Sequence, residues 1–141
     1  MVELIVVMLI MGILAAVALP RVTNRTAFDE RGFQDQVVTM LRHGRTLAVA
    51  QQRDVCVLLI PPTVSMVYAG AAACIPSAAG AQPVEPGTST QFVINVPQGV
   101  ALGGTAQVRF NPQGRPVPNV NQVITVGAQA LTVSRETGIV F

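Results

Sequence analysis

Met40-Leu41-Arg42-His43-Gly44-Arg45-Thr46-Leu47-Ala48-Val49-Ala50-Gln51-Gln52-Arg53-Asp54-Val55-Cys56-Val57-Leu58-Leu59-Ile60 contains the point at which the chain changes its period. Up to Gln52, the apolar residues Phe33, Val37, Met40, Leu41, Leu47 and Ala48 recur mostly three or four positions apart, with Arg31, Asp35, Arg42 and Arg45 between them. Residues at that spacing share one face of a helix, so the pattern predicts an amphipathic helix whose apolar stripe must be covered. From Asp54 onward the chain is β-branched and apolar, and Val55–Ile60 stops at Pro61-Pro62. Such a run reads as a buried strand. The strands beginning here are the available cover for the helix.

Downstream, Val64 to Tyr68 reads as the returning strand of a hairpin. The stretch from Gly70 to Gly87, rich in Ala, Gly, Pro and Ser, reads as a long loop. Gln91–Val96 is the next strand, with Pro97-Gln98-Gly99 as its turn, and Ala106–Phe110 alternates as a half-buried strand does. Asn111-Pro112-Gln113-Gly114-Arg115-Pro116 is turn chemistry, and Gly103-Gly104 reads as a further turn. Gln122–Val126, Ala130–Val133 and Gly138–Phe141 complete six or seven short strands at hairpin spacing, which makes them antiparallel. One long helix followed by antiparallel strands is an α+β fold.

Upstream, Leu4 to Leu19 contains no polar side chain; Glu3 precedes the run, and Pro20 and Arg21 follow it. As a helix it is about 24 Å long, against a hydrocarbon core of about 30 Å. Three readings suit such a run: a transmembrane anchor, the core of a signal peptide, or a buried helix. A signal peptide opens with positive charge, whereas this run opens with Glu3. A buried surface helix has an apolar stripe, whereas this one is apolar all round. The anchor or bundle helix is therefore the preferred reading. Pro20 lacks the N–H that continues a helical ladder, so a kink or break is expected there, and Thr26 with Asp29 offers a cap that restarts the helix. The division is 1–23 for the membrane-spanning and assembly helix, 24–53 for the amphipathic helix and 54–141 for the antiparallel β domain.

Val2-Glu3-Leu4-Ile5-Val6-Val7, followed by Gly12-Ile13-Leu14-Ala15-Ala16-Val17-Ala18-Leu19-Pro20, resembles the N-terminal signature of type IV pilins and type II secretion pseudopilins. In that family a basic leader ending in Gly precedes Phe-Thr-Leu-Val-Glu and an apolar helix, and Met1 stands here where the family has Leu. The expectation is a leader in frame upstream of Met1, removed by a prepilin peptidase acting on the full-length precursor. The resemblance further implies single-pass residence in the inner membrane with a periplasmic globular domain, then entry into a pilus or pseudopilus beside other pilin or pseudopilin subunits. It assigns to Glu3 the pairing with a neighbouring subunit's N-terminal ammonium. An ionisable group at membrane depth is costly and normally has a partner. Against this stands the reading in which Glu3 lies solvated at the headgroup boundary. Phe110-Asn111-Pro112-Gln113-Gly114 and Val133-Ser134-Arg135-Glu136-Thr137-Gly138-Ile139-Val140 resemble the C-terminal pattern of the pseudopilin H and FimT-like minor pilins. Arg53-Asp54-Val55-Cys56-Val57 after a long helix is similar to the minor pilin of MSHA-type pili.

The two cysteines, Cys56 and Cys74, are too few for a zinc site and are not spaced as a redox pair. A periplasmic domain would hold them as a disulfide; a reducing compartment would leave two thiols, Cys56 buried on its strand. His43 beside Arg42 and Arg45 reads as a solvated helix residue, and Ser65, Ser77, Ser89 and Ser134 lack a nucleophile elbow. The reading is a structural subunit, not an enzyme, with no metal and no cofactor. All nine basic residues are Arg, and six lie in the first 53 residues, so the β domain is close to neutral. Some FimT-like minor pilins take part in DNA uptake through a closing Gly-Arg-x-Arg, which Gly138-Ile139-Val140-Phe141 does not reproduce. Arg135 alone cannot supply several phosphate contacts, which argues against a nucleic-acid partner. The alternatives are that DNA-binding minor pilin and a membrane-anchored periplasmic enzyme or binding module.

Overall fold

The computed structural model describes residues 2–22, 25–69, 74, 83, 87 and 91–141. Two helices, α1 (Val2–Val22) and α2 (Arg25–Gln51), precede eight strands: β1 (Val55–Ile60), β2 (Thr63–Tyr68), β3 (Val93–Asn95), β4 (Leu102–Gly104), β5 (Gln107–Phe110), β6 (Pro116–Val117), β7 (Gln122–Val126) and β8 (Gln129–Val133). All pairings are antiparallel, and the strands form a five-stranded sheet ordered β3-β2-β1-β5-β6 and a three-stranded sheet ordered β4-β7-β8. The fold is α+β, a long helix laid on antiparallel sheets.

Why α2 seats where it does follows from its stripe. Phe33, Val37, Met40, Leu41 and Ala48 are all 2% exposed or less. Gly44 continues the stripe, and a Cβ placed on it would lie 3.2 Å from Val57 Cγ2 and 3.5 Å from Met66 Cε. The missing side chain lets the helix approach β1 and β2 closely. Along β1 the register puts Val55, Val57 and Leu59 on the face beneath α2, opposite Tyr68, Met66 and Val64 of β2 and, through Val55 and Val57, Phe110 and Val108 of β5. Ile124 and Val126 of β7 with Leu131 and Val133 of β8 join the same cluster, so one helix covers both sheets.

The division into two sheets has a local cause. Pro116 pairs with Phe110 in β6, and Pro118 follows directly. Neither ring nitrogen donates to a ladder, so β6 closes the larger sheet as an edge and β7 begins a second one. Gly103 and Gly104, expected as a turn, instead lie in β4 opposite Thr125 and Ile124. Glycine has little strand propensity, which hides such a strand in the sequence. The backbones approach so closely here that a Cβ on Gly103 would come within 2.7 Å of Thr125 Oγ1. Pro116–Val117 is likewise a strand inside stretches expected to be turn and connection. Gly138–Phe141, expected as a strand, reduces to a bridge between Val133 and Val140, with Thr132 and Phe141 exchanging backbone hydrogen bonds at 2.8 and 3.0 Å. The capping by Thr26 is also revised in register, because α2 already includes Arg25. The expected loop from 70 to 87 lies, apart from 74, 83 and 87, outside the described residues, as do Thr23 and Asn24.

On the face of β1 and β2 turned away from α2, Cys56, Leu58 and Val67 form a second buried cluster, with Ala69 and Cys74 packed against it. Cys56 and Cys74 are joined by a disulfide, with Cα atoms 5.6 Å apart and a sequence separation of 18. Closing a loop of that length restricts the unfolded chain by about 3 kcal/mol. The double variant Cys56→Ala/Cys74→Ala is accordingly expected to lose roughly that much stability in denaturant unfolding, and the wild type to lose it on reduction. If the reduced wild type and the oxidised wild type unfolded at the same denaturant concentration, the tether would be idle.

Candidate assembly surfaces

Glu3 lies in the first turn of α1, where a carboxylate also suits the helix dipole. It is exposed, and so is every described side chain from Val2 to Ala15. The large apolar members between Val2 and Leu14 expose from 49% to 76% of their surface. Monomeric soluble proteins rarely show a contiguous apolar surface of this kind. Glu3 is the only charged residue within that stretch and has no ion-pair partner among the described residues. Among the described residues no helix is both long and apolar enough to cross a membrane. The α1 helix runs through Pro20 to Val22 before the two undescribed positions.

The domain behind α1 is tied together by polar contacts that periodicity could not reveal. Arg109 Nε donates to Asp54 Oδ2 at 2.7 Å, and its Nη2 donates to the same oxygen, the two side chains being about one-fifth exposed. Asp54 stands at the entrance to β1 and Arg109 opposite Cys56, so the pair locks the central strand pairing. Glu30 presents its carboxylate to Gly127 in the β7–β8 turn, where a Cβ would sit 2.7 Å from either oxygen. Arg53 stacks on Tyr68 at 4.6 Å from the ring centroid. His43, expected in solvent, is half-buried and meets Phe92 edge-on at 5.8 Å between ring centroids. Periodicity carries no sign of that contact, because Phe92 lies 49 positions further along and its register is tertiary.

The two segments singled out near the C-terminus meet in space. In the turn 111–115, Asn111 Oδ1 accepts from the backbone N–H groups of Gln113 and Arg115 at 3.1 and 2.9 Å, and Gly114 N–H donates to Asn111 O at 2.8 Å. In the second turn, Gly138 N–H donates to Ser134 O at 2.8 Å. Gly114 and Gly138 have φ of 75° and 68°, and Gly138 packs directly on the Gly114 carbonyl. Arg45 of α2 lies over both glycines. Arg135 is exposed and paired with Glu136 at 3.0 Å. Among the described residues no three His, Cys, Asp or Glu side chains are grouped to hold a metal.

This arrangement, the helix α2 laid on antiparallel sheets and preceded by an exposed apolar helix α1, is the type IV pilin fold. Two crystal forms of the type IV minor pilin FimU of Pseudomonas aeruginosa superpose on most of this chain. The form in space group P21 superposes with a TM-score of 0.57 at 17% identity, covering 81% of this chain and 90% of that one. The P65 form gives a TM-score of 0.56 at 15% identity, covering 76% and 86%. No family model and no curated protein matches the sequence.

Proposed function

We propose that this chain is a minor pilin or pseudopilin, a structural subunit of a type IV pilus or a type II secretion filament. The observation that carries the reading is α1: apolar and exposed along its described side chains, opened by one carboxylate, and joined to a domain of the pilin fold. A helix exposing this much apolar surface is stable only with that surface out of water, in lipid or against copies of itself. Before assembly the helix would reside in the inner membrane with the β domain in the periplasm, after cleavage of a precursor by prepilin peptidase. The run from Leu4 to Leu19, about 24 Å as a helix, is accommodated by modest local thinning of the bilayer. In the filament the same surface packs against neighbouring subunits.

Glu3 then fixes the register of one subunit on the next. An apolar helix can slide along a like surface at little cost. A carboxylate in a low-dielectric core must meet a cation, and only one axial position supplies it. Pro20 interrupts the hydrogen-bond ladder of α1 and allows the apolar start to bend relative to the domain. The disulfide between Cys56 and Cys74 suits an oxidising compartment. The role read from α1 and from the pilin fold is structural.

The test is Glu3→Ala in the intact chain, expressed with its own filament system. Membrane fractions should retain the variant while sheared filaments lose it, an expected drop of at least about tenfold, as the loss of one buried ionic contact implies. Normal incorporation of Glu3→Ala would overturn the assembly role.

A further inference from the structure

We propose that Arg45, with Thr46, Val49 and Ala50, forms a docking pocket for an acidic side chain of an adjoining protein subunit. These four residues line an open pocket of about 290 Å³ at the C-terminal end of α2. Its floor is built. A Cβ on Gly114 would lie 3.0 Å from Val49 Cγ2 and 3.3 Å from both Cγ and Nε of Arg45, and one on Gly138 would lie 3.3 Å from Arg45 Cδ. The two glycines thus leave the trough in which the arginine stem rests. Both come from the C-terminal segments that the exposed apolar helix does not account for.

The arginine held there has donors to spare. Its Nε is buried without a hydrogen-bond partner, and its guanidinium makes no ion pair and donates no hydrogen bond among the described residues. Asp54 and Glu136, the carboxylates that do pair, are committed to Arg109 and Arg135. Immobilising the stem removes in advance the entropy that an exposed arginine loses on pairing, so a carboxylate arriving here gains more than at a free surface residue. The methyls of Val49 and Ala50 and the stem of Arg45 make the rest of the wall apolar. The occupant that fits is a carboxylate on a short aliphatic stem, which is the chemistry of an Asp or Glu side chain. The volume is small for an extended ligand and sufficient for one side chain. Naming the donor as an adjoining subunit rests on the filament reading; the pocket does not.

The experiment titrates the full chain in detergent micelles with acetyl-Ala-Glu-Ala-amide, following the methyl resonances of Val49 and Ala50. Acetyl-Ala-Gln-Ala-amide, propionate and inorganic phosphate serve as parallel probes. Saturable shifts confined to the pocket with the Glu peptide are expected. Binding should be roughly tenfold weaker for the Gln peptide and for Arg45→Gln, the loss of one hydrogen bond to a charged group. Arg45→Lys should retain part of it. If Arg45→Gln proves unfolded, Val49→Asp, which leaves the arginine and places a carboxylate beside it, should abolish binding instead. Equal binding of the two peptides, unchanged binding by Arg45→Gln or Val49→Asp, shifts elsewhere, no binding at all, or tighter binding of phosphate or propionate than of the Glu peptide would each overturn the assignment. None of these outcomes bears on Glu3, whose test reads filament incorporation.

Discussion

Gly138→Val is expected to destabilise the β domain by more than about 3 kcal/mol, a value reserved for buried clashes and backbone strain. Two effects add. Gly138 has φ of 68°, where a Cβ costs roughly 1–2 kcal/mol against the following carbonyl, and more for a β-branched residue. The Cβ would also overlap the carbonyl oxygen of Gly114, a backbone atom held by the hydrogen bonds of the 111–115 turn. Backbone on backbone cannot be relieved by a rotamer change. The closing segment would be displaced, taking with it the bridge of Val140 to Val133 and the seat of Arg45. Gly32→Ala is the matched control: it lies in α2 with nothing within 4 Å of a new Cβ, and should stabilise by up to about 1 kcal/mol through helix propensity. Chemical denaturation of the two variants should therefore move in opposite directions. Equal midpoints would show that the Gly114–Gly138 contact does not hold the segment in place.

Phe110→Ala is the second large effect, an expected loss of about 3–5 kcal/mol. Phe110 is fully buried on β5, between Val55 on one side and Pro116 on the other, in the cluster beneath α2. It is among the largest fully buried side chains, and cores packed to crystal-like density do not refill such a void. Native domains are stable by only about 5–15 kcal/mol, so a loss of this size is a large fraction of the total. Phe28→Ala provides the comparison, since that ring is 75% exposed and its removal should change unfolding by less than about 0.5 kcal/mol. A large loss for Phe28 and a small one for Phe110 would reverse the assignment of the core.

Much of the fold was readable because burial imposes a period. Spacing alone picks out Phe33, Val37, Met40, Leu41, Leu47 and Ala48; five of the six are buried under the sheet, and Leu47 is half-buried against the same cluster. Val55–Ile60 and its hairpin partner were placed by β-branched residues ending at a Pro-Pro step, and β1 and β2 occupy those positions with Thr63 added. Strands defined by what they approach were missed. β4 is made of Leu102, Gly103 and Gly104, and its evidence is the nearness of β7 rather than anything in its own side chains. The misplaced His43 has the same origin: its neighbour Phe92 arrives on a distant segment.

The candidate surfaces divide along the same line. A lone carboxylate opening an apolar run is a statement about transfer energies, so Glu3 could be selected from the chain with no coordinates at all. Arg45 could not. Its neighbours Gly114 and Gly138 lie 69 and 93 positions further along, and each reads in isolation as an ordinary turn residue. The same is true of Arg109, whose charge is matched by Asp54 only after β1 and β5 pair in the observed register. Period and transfer energy are enough to specify the apolar helix opened by one carboxylate, the amphipathic helix after it and the central hairpin. The split into two sheets, the pairing of charges and the trough under Arg45 arise only once the chain is folded. Those depend on distances between segments far apart in the chain, which neither spacing nor composition encodes.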